Sequence, residues 1–199
     1  MVIKEPNWKS FVARTNSNPI LTPQECKTMI EVGRSQPMHD GQIIQGPDAK
    51  HDKPDIDKNV RVSHISWVPF NEKTRPMFQK IESVMLQINS NHFGFENMQL
   101  TEEAQYTEYP TGGHYNWHID LSTSCQDAPP VRKISMTLIL SEDNEFEGGD
   151  LQLLENKKGE KILQGHAIFF ASFIRHKVAP VTKGIRKSLV MWFGGTPFR

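Results

Sequence analysis

A chain of 199 residues is the size of one domain and can bury a core without disulfide or metal staples. It is 37% hydrophobic and 23% charged, with 23 basic and 23 acidic residues, and the zero net charge weighs against a dedicated nucleic-acid binder, whose affinity rests on a basic stripe. Its two cysteines, Cys26 and Cys125, fit no metal-ligand spacing, the start MVIKEPNWKSF lacks a signal-peptide core, and no apolar run approaches the roughly 18 residues of a membrane span. These features lead us to expect a cytoplasmic protein with reduced thiols, without membrane or nucleic-acid partners, as a monomer or homodimer.

The first helix opens at Thr22-Pro23-Gln24-Glu25, where Thr22 caps, Pro23 suits the first helical position and Glu25 completes a capping box. It is expected to run to about Gly33 and to bury Met29 and Ile30. A polar stretch over about 38–59 follows, rich in Gly, Asp, Lys and Pro, and a loop of that length reads as a functional lid or a disordered insertion. Alternation of Val60, Val62, His64 and Ser66 with Arg61, Ser63, Ile65 and Trp67 predicts a strand. Met77, Phe78, Ile81, Val84, Met85 and Ile88 recur at three- and four-residue steps, which predicts a second helix ending near Asn91, before a turn at Gly94.

From about residue 98 short strands take over, near 99–107, 115–120, 133–141, 150–154, 167–170 and 187–193. Turn signals at Glu147-Gly148-Gly149-Asp150 and Lys158-Gly159 separate them. Helices followed by many strands predict an α+β fold: a double-stranded β-helix, or jelly roll, with the N-terminal helices packed on one face. Residues 1–97 are expected to supply helices, first strands and the segment over 38–59, and residues 98–199 the jelly-roll core, within one domain.

The chemistry concentrates in Tyr109-Pro-Thr-Gly-Gly-His-Tyr-Asn-Trp-His118-Ile-Asp120. On a strand, His118 and Asp120 project to one face and can reach one metal together. His176 lies 56 residues after Asp120, far enough to return on another strand. Two histidines and one carboxylate leave three octahedral positions open, which suits Fe(II), a bidentate cosubstrate and dioxygen. Arg186 follows ten residues after His176, and a strand through it puts Arg186, Ser188, Val190 and Trp192 on one face. Arg186 and Ser188 can then grip the far end of a dicarboxylate, the arginine through two parallel charge-assisted bonds of about 1.5–3 kcal/mol each.

The spacing Y-x2-G-x2-Y-x2-H-x-D, then E-G-G-D-L, then H-x-V-x-P-V-x-x-G-x-R-x-S, resembles the prolyl-4-hydroxylase-like 2-oxoglutarate oxygenases over roughly residues 98–196. That resemblance implies Fe(II) on His118, Asp120 and His176, and the 2-oxoglutarate C5 carboxylate on Arg186. Tyr109 and Ser188 would help by hydrogen bonding, and Tyr115 and Trp192 would line the pocket. It further implies O2 as cosubstrate, ascorbate as an additional ligand, and hydroxylation of an unactivated C–H bond with release of succinate and CO2. A prolyl residue in a protein or peptide is the substrate it suggests, with residues 38–59 closing over it. The sequence departs from the pattern at Thr137 and Ile139, where the prolyl hydroxylases of animal oxygen sensing carry a further tyrosine.

Competing readings leave marks that can be checked. An oxygenase acting on a small molecule or free amino acid shares every residue above. Alkylated-base demethylases carry a second arginine six residues after the first, and Trp192 stands there. A catalytically silent jelly-roll binding module, or a zinc hydrolase, leaves Arg186 and Ser188 without a purpose. Among the other histidines, His114 sits four residues before His118, but Gly112 and Gly113 oppose a helix there. His166 has no arginine ten residues on, His39 and His51 read as solvated, and His64 and His92 as structural. The Glu147-Gly148-Gly149 turn reads as a hairpin connection without a catalytic role, and Cys125 as unactivated.

Overall fold

In the computed structural model, which describes residues 10–15, 18–43, 56–121, 130–155 and 158–197, the chain begins with strand β1 (Val12–Arg14). Helix α1 (Pro23–Ser35) starts where its cap dictates: Thr22 Oγ1 accepts the Glu25 N–H at 3.3 Å, and the Glu25 carboxylate accepts the Thr22 N–H at 2.9 Å. It buries Cys26, Met29, Val32 and Gly33, while Ile30 is only half-buried at the edge of the core. After β2 (His39–Asp40), β3 (Arg61–Val62) and β4 (His64–Val68), helix α2 (Arg75–Ile88) buries the expected stripe of Met77, Phe78, Ile81 and Met85. It passes into a π-helical turn, Asn89–Phe93, and stops at Gly94. Lys80 on α2 reaches Glu25 on α1 at 2.6 Å, tying the two helices together.

The remainder is β-structure: β5 (Gln99–Leu100), β6 (Ala104–Tyr109), β7 (His114–His118), β8 (Val131–Ile139), β9 (Phe146–Gly148), β10 (Leu151–Leu153), β11 (Ala167–Ala171), β12 (His176–Val178), β13 (Val181–Gly184) and β14 (Arg186–Gly195). Among the described residues, a large antiparallel sheet runs β1-β11-β8-β14-β6-β4-β2, with β5 added to the end of β14. A smaller sheet runs β10-β12-β7-β3, and β9 pairs with β13 as a ribbon. This is the jelly roll expected from the sequence. Both helices join one core cluster with the outer face of the large sheet, where Ser66 Oγ of β4 donates to the Gly33 carbonyl of α1 at 2.7 Å.

Period-two alternation divides the long strands as it should. On β14, Leu189, Met191 and Phe193 enter the core cluster, while Arg186, Ser188, Val190 and Trp192 face the space between the sheets. The expected strand over 60–67 is two strands. The chain crosses from the small sheet to the large one at Ser63, so β3 pairs with β7 and β4 with β6. The stretch 99–107 is likewise divided, because β5 and β6 meet β14 at different points along its length. Strand β7 ends at His118, so Asp120 lies just beyond the strand rather than on it. Of the segment over 38–59, residues 44–55 lie outside the described residues, as does Cys125. No helix among the described residues is long and apolar enough to cross a membrane.

Candidate metal centre

Strand β7 carries an irregularity that builds the site. Opposite it on β12, His176 faces His118 and Val178 faces Tyr115, so two residues on one strand span three on the other. The extra residue is a bulge in the Asn116–Trp117 region, and it places Tyr115 and His118 on the same face despite their odd spacing. Their rings stack with centroids 3.5 Å apart. Asn116 stabilises the bulge: its side chain accepts the Trp117 N–H at 2.9 Å, and its backbone carbonyl lies 2.7 Å from His118 Nδ1. Beyond the strand, the Asp120 N–H donates to the Ser172 carbonyl at 3.0 Å, which fixes the aspartate beside the two histidines.

His118, Asp120 and His176 bring one donor atom each within 4.8 Å of one another. His118 Nε2 is 3.6 Å from Asp120 Oδ1, and His176 Nε2 is 3.6 Å from Oδ2. His176 Nδ1 lies 3.0 Å from the Ile174 carbonyl. Both Nδ1 atoms therefore act as N–H donors to backbone, which leaves both Nε2 lone pairs pointing at the common centre. Burial, then the neighbouring His176, pushes the His118 pKa down to about 3 against the pull of Asp120, so His118 is neutral at physiological pH, the form a metal needs. Burial works to raise the Asp120 carboxyl, but His176 and His118 outweigh it, with help from Ser135 and Trp192, and hold it below its ordinary value. Two imidazoles turned Nε2-inward and a carboxylate on one side of a shared centre fit a divalent metal with open positions opposite.

These groups form one end of an open cavity of about 200 Å³ between the sheets, which Tyr109, Tyr115, Arg186, Ser188 and Trp192 also line. Arg186 is 1% exposed, donates Nη1 to Ser188 Oγ at 3.0 Å, and lies 5.3 Å from the Tyr109 ring, its cross-strand neighbour on β6. Burial pushes its pKa down, with Tyr109 and Asp150 opposing, and among the described residues no carboxylate forms an ion pair with it. Trp192 lies beneath the Arg132 guanidinium at 4.0 Å, and its buried Nε1–H has no hydrogen-bond partner among the described residues. The indole faces Asp120 closely enough to favour the charged carboxylate, but not in bonding geometry. Of the two positions that depart from the family pattern, Thr137 faces this cavity, whereas Ile139 borders a separate hollow against which Arg186 also rests.

Every residue singled out in the sequence for metal or cosubstrate thus lines one space. His114 stays outside the ligand cluster, bonded to the Gly112 carbonyl through Nδ1 at 3.0 Å, and His166 lies against Thr15 at 3.3 Å. His64 pairs with Asp40 at the surface. Burial pushes the Cys26 thiol up to about 12, so it is inert. Three positions escaped the sequence. Asn116 shapes the bulge. Gly149 leaves room for Arg186, since a Cβ there would lie 2.8 Å from Arg186 Cδ, so the turn read as a plain connection also shapes the arginine's surroundings. Arg61, on a strand position read only as alternating, lines the cavity.

A jelly roll that gathers two histidines, a carboxylate and a buried arginine on its inner face has the donor arrangement that suits the 2-His-1-carboxylate oxygenases. Comparison with known proteins agrees. The family model for the 2OG-Fe(II) oxygenase superfamily matches residues 104–194. A PKHD-type hydroxylase of Parvibaculum lavamentivorans is 36% identical over 94 residues, 44% of this chain and 41% of the relative. A PKHD-type hydroxylase of Xanthomonas campestris is 26% identical over 184 residues, 87% of this chain and 75% of the relative. The better-matching segments therefore span about half or less of the curated relatives' own length. In fold, the chain is similar to a Pseudomonas putida prolyl-4-hydroxylase (TM-score 0.67, 19% identity, 92% of both chains). It is equally similar to the viral collagen prolyl hydroxylase of Paramecium bursaria Chlorella virus-1, solved as a 2OG complex (TM-score 0.68, 18% identity, 94% of this chain and 97% of that one). Residues 104–194 are thus similar to the 2OG-Fe(II) oxygenase superfamily, and the fold is similar to that of prolyl hydroxylases. That superfamily takes its name from 2-oxoglutarate and Fe(II).

Proposed function

We propose that the protein is a dioxygenase that hydroxylates an unactivated C–H bond, with a prolyl residue of a protein or peptide as its substrate. The observation that carries this reading is the pairing, in one cavity, of a His-Asp-His donor set with a buried arginine that forms no ion pair with a carboxylate among the described residues. Two neighbours in fold lend support to the substrate class: one is a collagen prolyl hydroxylase, and another is a Trichoplax adhaerens prolyl hydroxylase in complex with a peptide fragment.

In this reading His118, Asp120 and His176 hold Fe(II) from one side, and the backbone carbonyls of Asn116 and Ile174 keep both imidazoles in the ligating tautomer. Arg186 binds the C5 carboxylate of 2-oxoglutarate. Ser188 aligns the guanidinium, and Tyr109 offers its hydroxyl to the same carboxylate. Tyr115 and Trp192 wall the cavity against water. Bound iron, with 2-oxoglutarate and O2, supplies the oxidation, in which one oxygen atom enters the substrate and the other leaves in succinate as CO2 is lost. No side chain has to act as general acid or base, which agrees with a site whose polar groups bind and orient.

The test is succinate formation from 2-oxoglutarate by protein loaded anaerobically with Fe(II) and then exposed to air, with and without proline-containing peptides. Peptide-stimulated succinate, with a peptide mass gain of one oxygen, is the expected result. Succinate that no peptide stimulates would remove the prolyl substrate. No succinate from protein with iron bound would replace the enzyme by a binding module.

A further inference from the structure

Three arginines face the cavity, and the fold treats each differently. Arg132 is neutralised within the protein: its Nε donates to Glu102 Oε1 at 2.8 Å and its Nη2 to Oε2 at 2.7 Å. Arg186 is the one assigned above to the cosubstrate. Arg61 remains. It is 7% exposed, and its guanidinium lies 4.5 Å from the centre of the Tyr115 ring, which in turn stacks on His118. Its Nε donates to Ser63 Oγ at 2.8 Å and its Nη1 to the Gln42 carbonyl at 2.9 Å. Both acceptors are neutral, and among the described residues no carboxylate pairs with it.

The position is built to hold that cation in place. Gly41 donates its N–H to the Ser63 carbonyl at 2.8 Å, and a Cβ at Gly41 would lie 2.4 Å from Arg61 Nε and 2.3 Å from Ser63 Oγ. Only glycine leaves room for the pair. A buried guanidinium with neutral partners keeps an unspent charge, which is costly until an anion arrives, and its planar fork suits a carboxylate. Formal charges point the same way. With Fe(II) and the 2-oxoglutarate dianion bound as proposed, the charges of metal, cosubstrate, Asp120 and Arg186 cancel, and Arg61 leaves one positive charge over.

We infer that Arg61 is a substrate-binding residue that pairs with a carboxylate carried by the substrate close to the carbon that is oxidised. The inference rests on the oxygenase reading above and narrows its substrate class. A free amino acid and an acidic side chain next to a peptidyl proline present the same group.

Pairs of probes that differ only in charge distinguish these sources: L-proline against L-prolinamide, and acetyl-Ala-Pro-Glu-amide against acetyl-Ala-Pro-Gln-amide. Stimulation of succinate formation is one readout. The other is binding to protein loaded with Mn(II) and 2-oxoglutarate, followed by tryptophan fluorescence, since Trp67 and Trp192 line the cavity. The acid member of one pair should exceed its neutral twin by at least about tenfold in both readouts, the factor expected of one charge-assisted hydrogen bond. Arg61→Gln should bring that ratio to about one, and Arg61→Lys should keep part of it. Ser63→Asp, which neutralises Arg61 inside the protein, should bring it to about one with the arginine still present. Because the ratio is taken within each protein, a general loss of activity or stability cancels. Equal responses to acid and neutral members, no response to any probe, or an acid preference that survives both Arg61→Gln and Ser63→Asp overturns the inference. Unstimulated succinate formation by the native protein reports separately on whether the oxygenase reading holds.

Discussion

Gly149→Ala should weaken 2-oxoglutarate binding while sparing the metal centre. Gly149 has φ +67°, where an alanine costs about 1–2 kcal/mol. The larger effect is steric, because the added Cβ would lie 2.8 Å from Arg186 Cδ and 3.0 Å from Val181 Cγ2, against an ordinary carbon contact of about 3.5–4.0 Å. Arg186 is enclosed and must shift by the better part of an ångström, enough to lose one of two parallel bonds to a carboxylate. Such a bond is worth about 1.5–3 kcal/mol, so the KM for 2-oxoglutarate should rise roughly ten- to 150-fold. Iron affinity, measured by competition with a chelator, should stay within about twofold. Gly148→Ala is the matched control. Its φ is +74°, and its Cβ would strike the Pro180 carbonyl at 2.6 Å and the Thr182 nitrogen at 3.0 Å, so it strains the same turn away from Arg186. The reasoning fails if Gly149→Ala leaves the KM within about twofold of native, or if the two variants raise it equally.

Single substitutions His118→Ala, Asp120→Ala and His176→Ala should each abolish iron binding, read by metal content after desalting, and succinate formation with it. His166→Ala should keep both, and the opposite pattern would reassign the ligands. Asn116→Ala removes the acceptor of the Trp117 N–H and should cost about 1 kcal/mol in urea unfolding of the metal-free protein, with weaker iron binding as the bulge relaxes. An unchanged unfolding midpoint and iron affinity would show that the bulge holds without it. The metal-free protein should also lose stability on acidification. His118 titrates near 6.5 when unfolded and about 3 when folded, so between those values the unfolded chain takes up a proton that the folded site refuses. The contribution is complete above pH 6.5 and is lost as pH falls toward 3. Thermal unfolding in chelator at pH 7 and pH 5 should show a drop that His118→Ala reduces, and a drop of equal size in that variant would place its origin elsewhere.

The helices were legible because their signals are local: a reciprocal cap at Thr22 and Glu25, and a stripe of apolar residues on α2. The proposed ligands were picked out by short motifs, and the fold brings His118, Asp120 and His176 together. What escaped the sequence depends on pairing between distant strands. Alternation through Val60–Trp67 continues unbroken although the chain changes sheets at Ser63, because a half-buried strand looks the same in either sheet. Tyr115 and His118 have the spacing of opposite faces, and only the extra residue opposed by β12 brings them together. Strands β12 and β13, three and four residues long, are too short to show a period. Arg61 reads in sequence as the polar phase of a strand. Its burial follows from Gly41, whose missing side chain makes the space.

The direct opposition of His118 and His176 across β7 and β12 has a consequence for how long the protein lasts. The small sheet consists of strands of two to five residues and has few hydrogen bonds to resist fraying. An ion shared by those two histidines and Asp120 is a rivet through its middle, joining stretches far apart in the chain. Its contribution to folding grows with the logarithm of free metal above the dissociation constant. On the proposed reading, iron supply would set how readily a protease opens the chain as well as how fast the enzyme works.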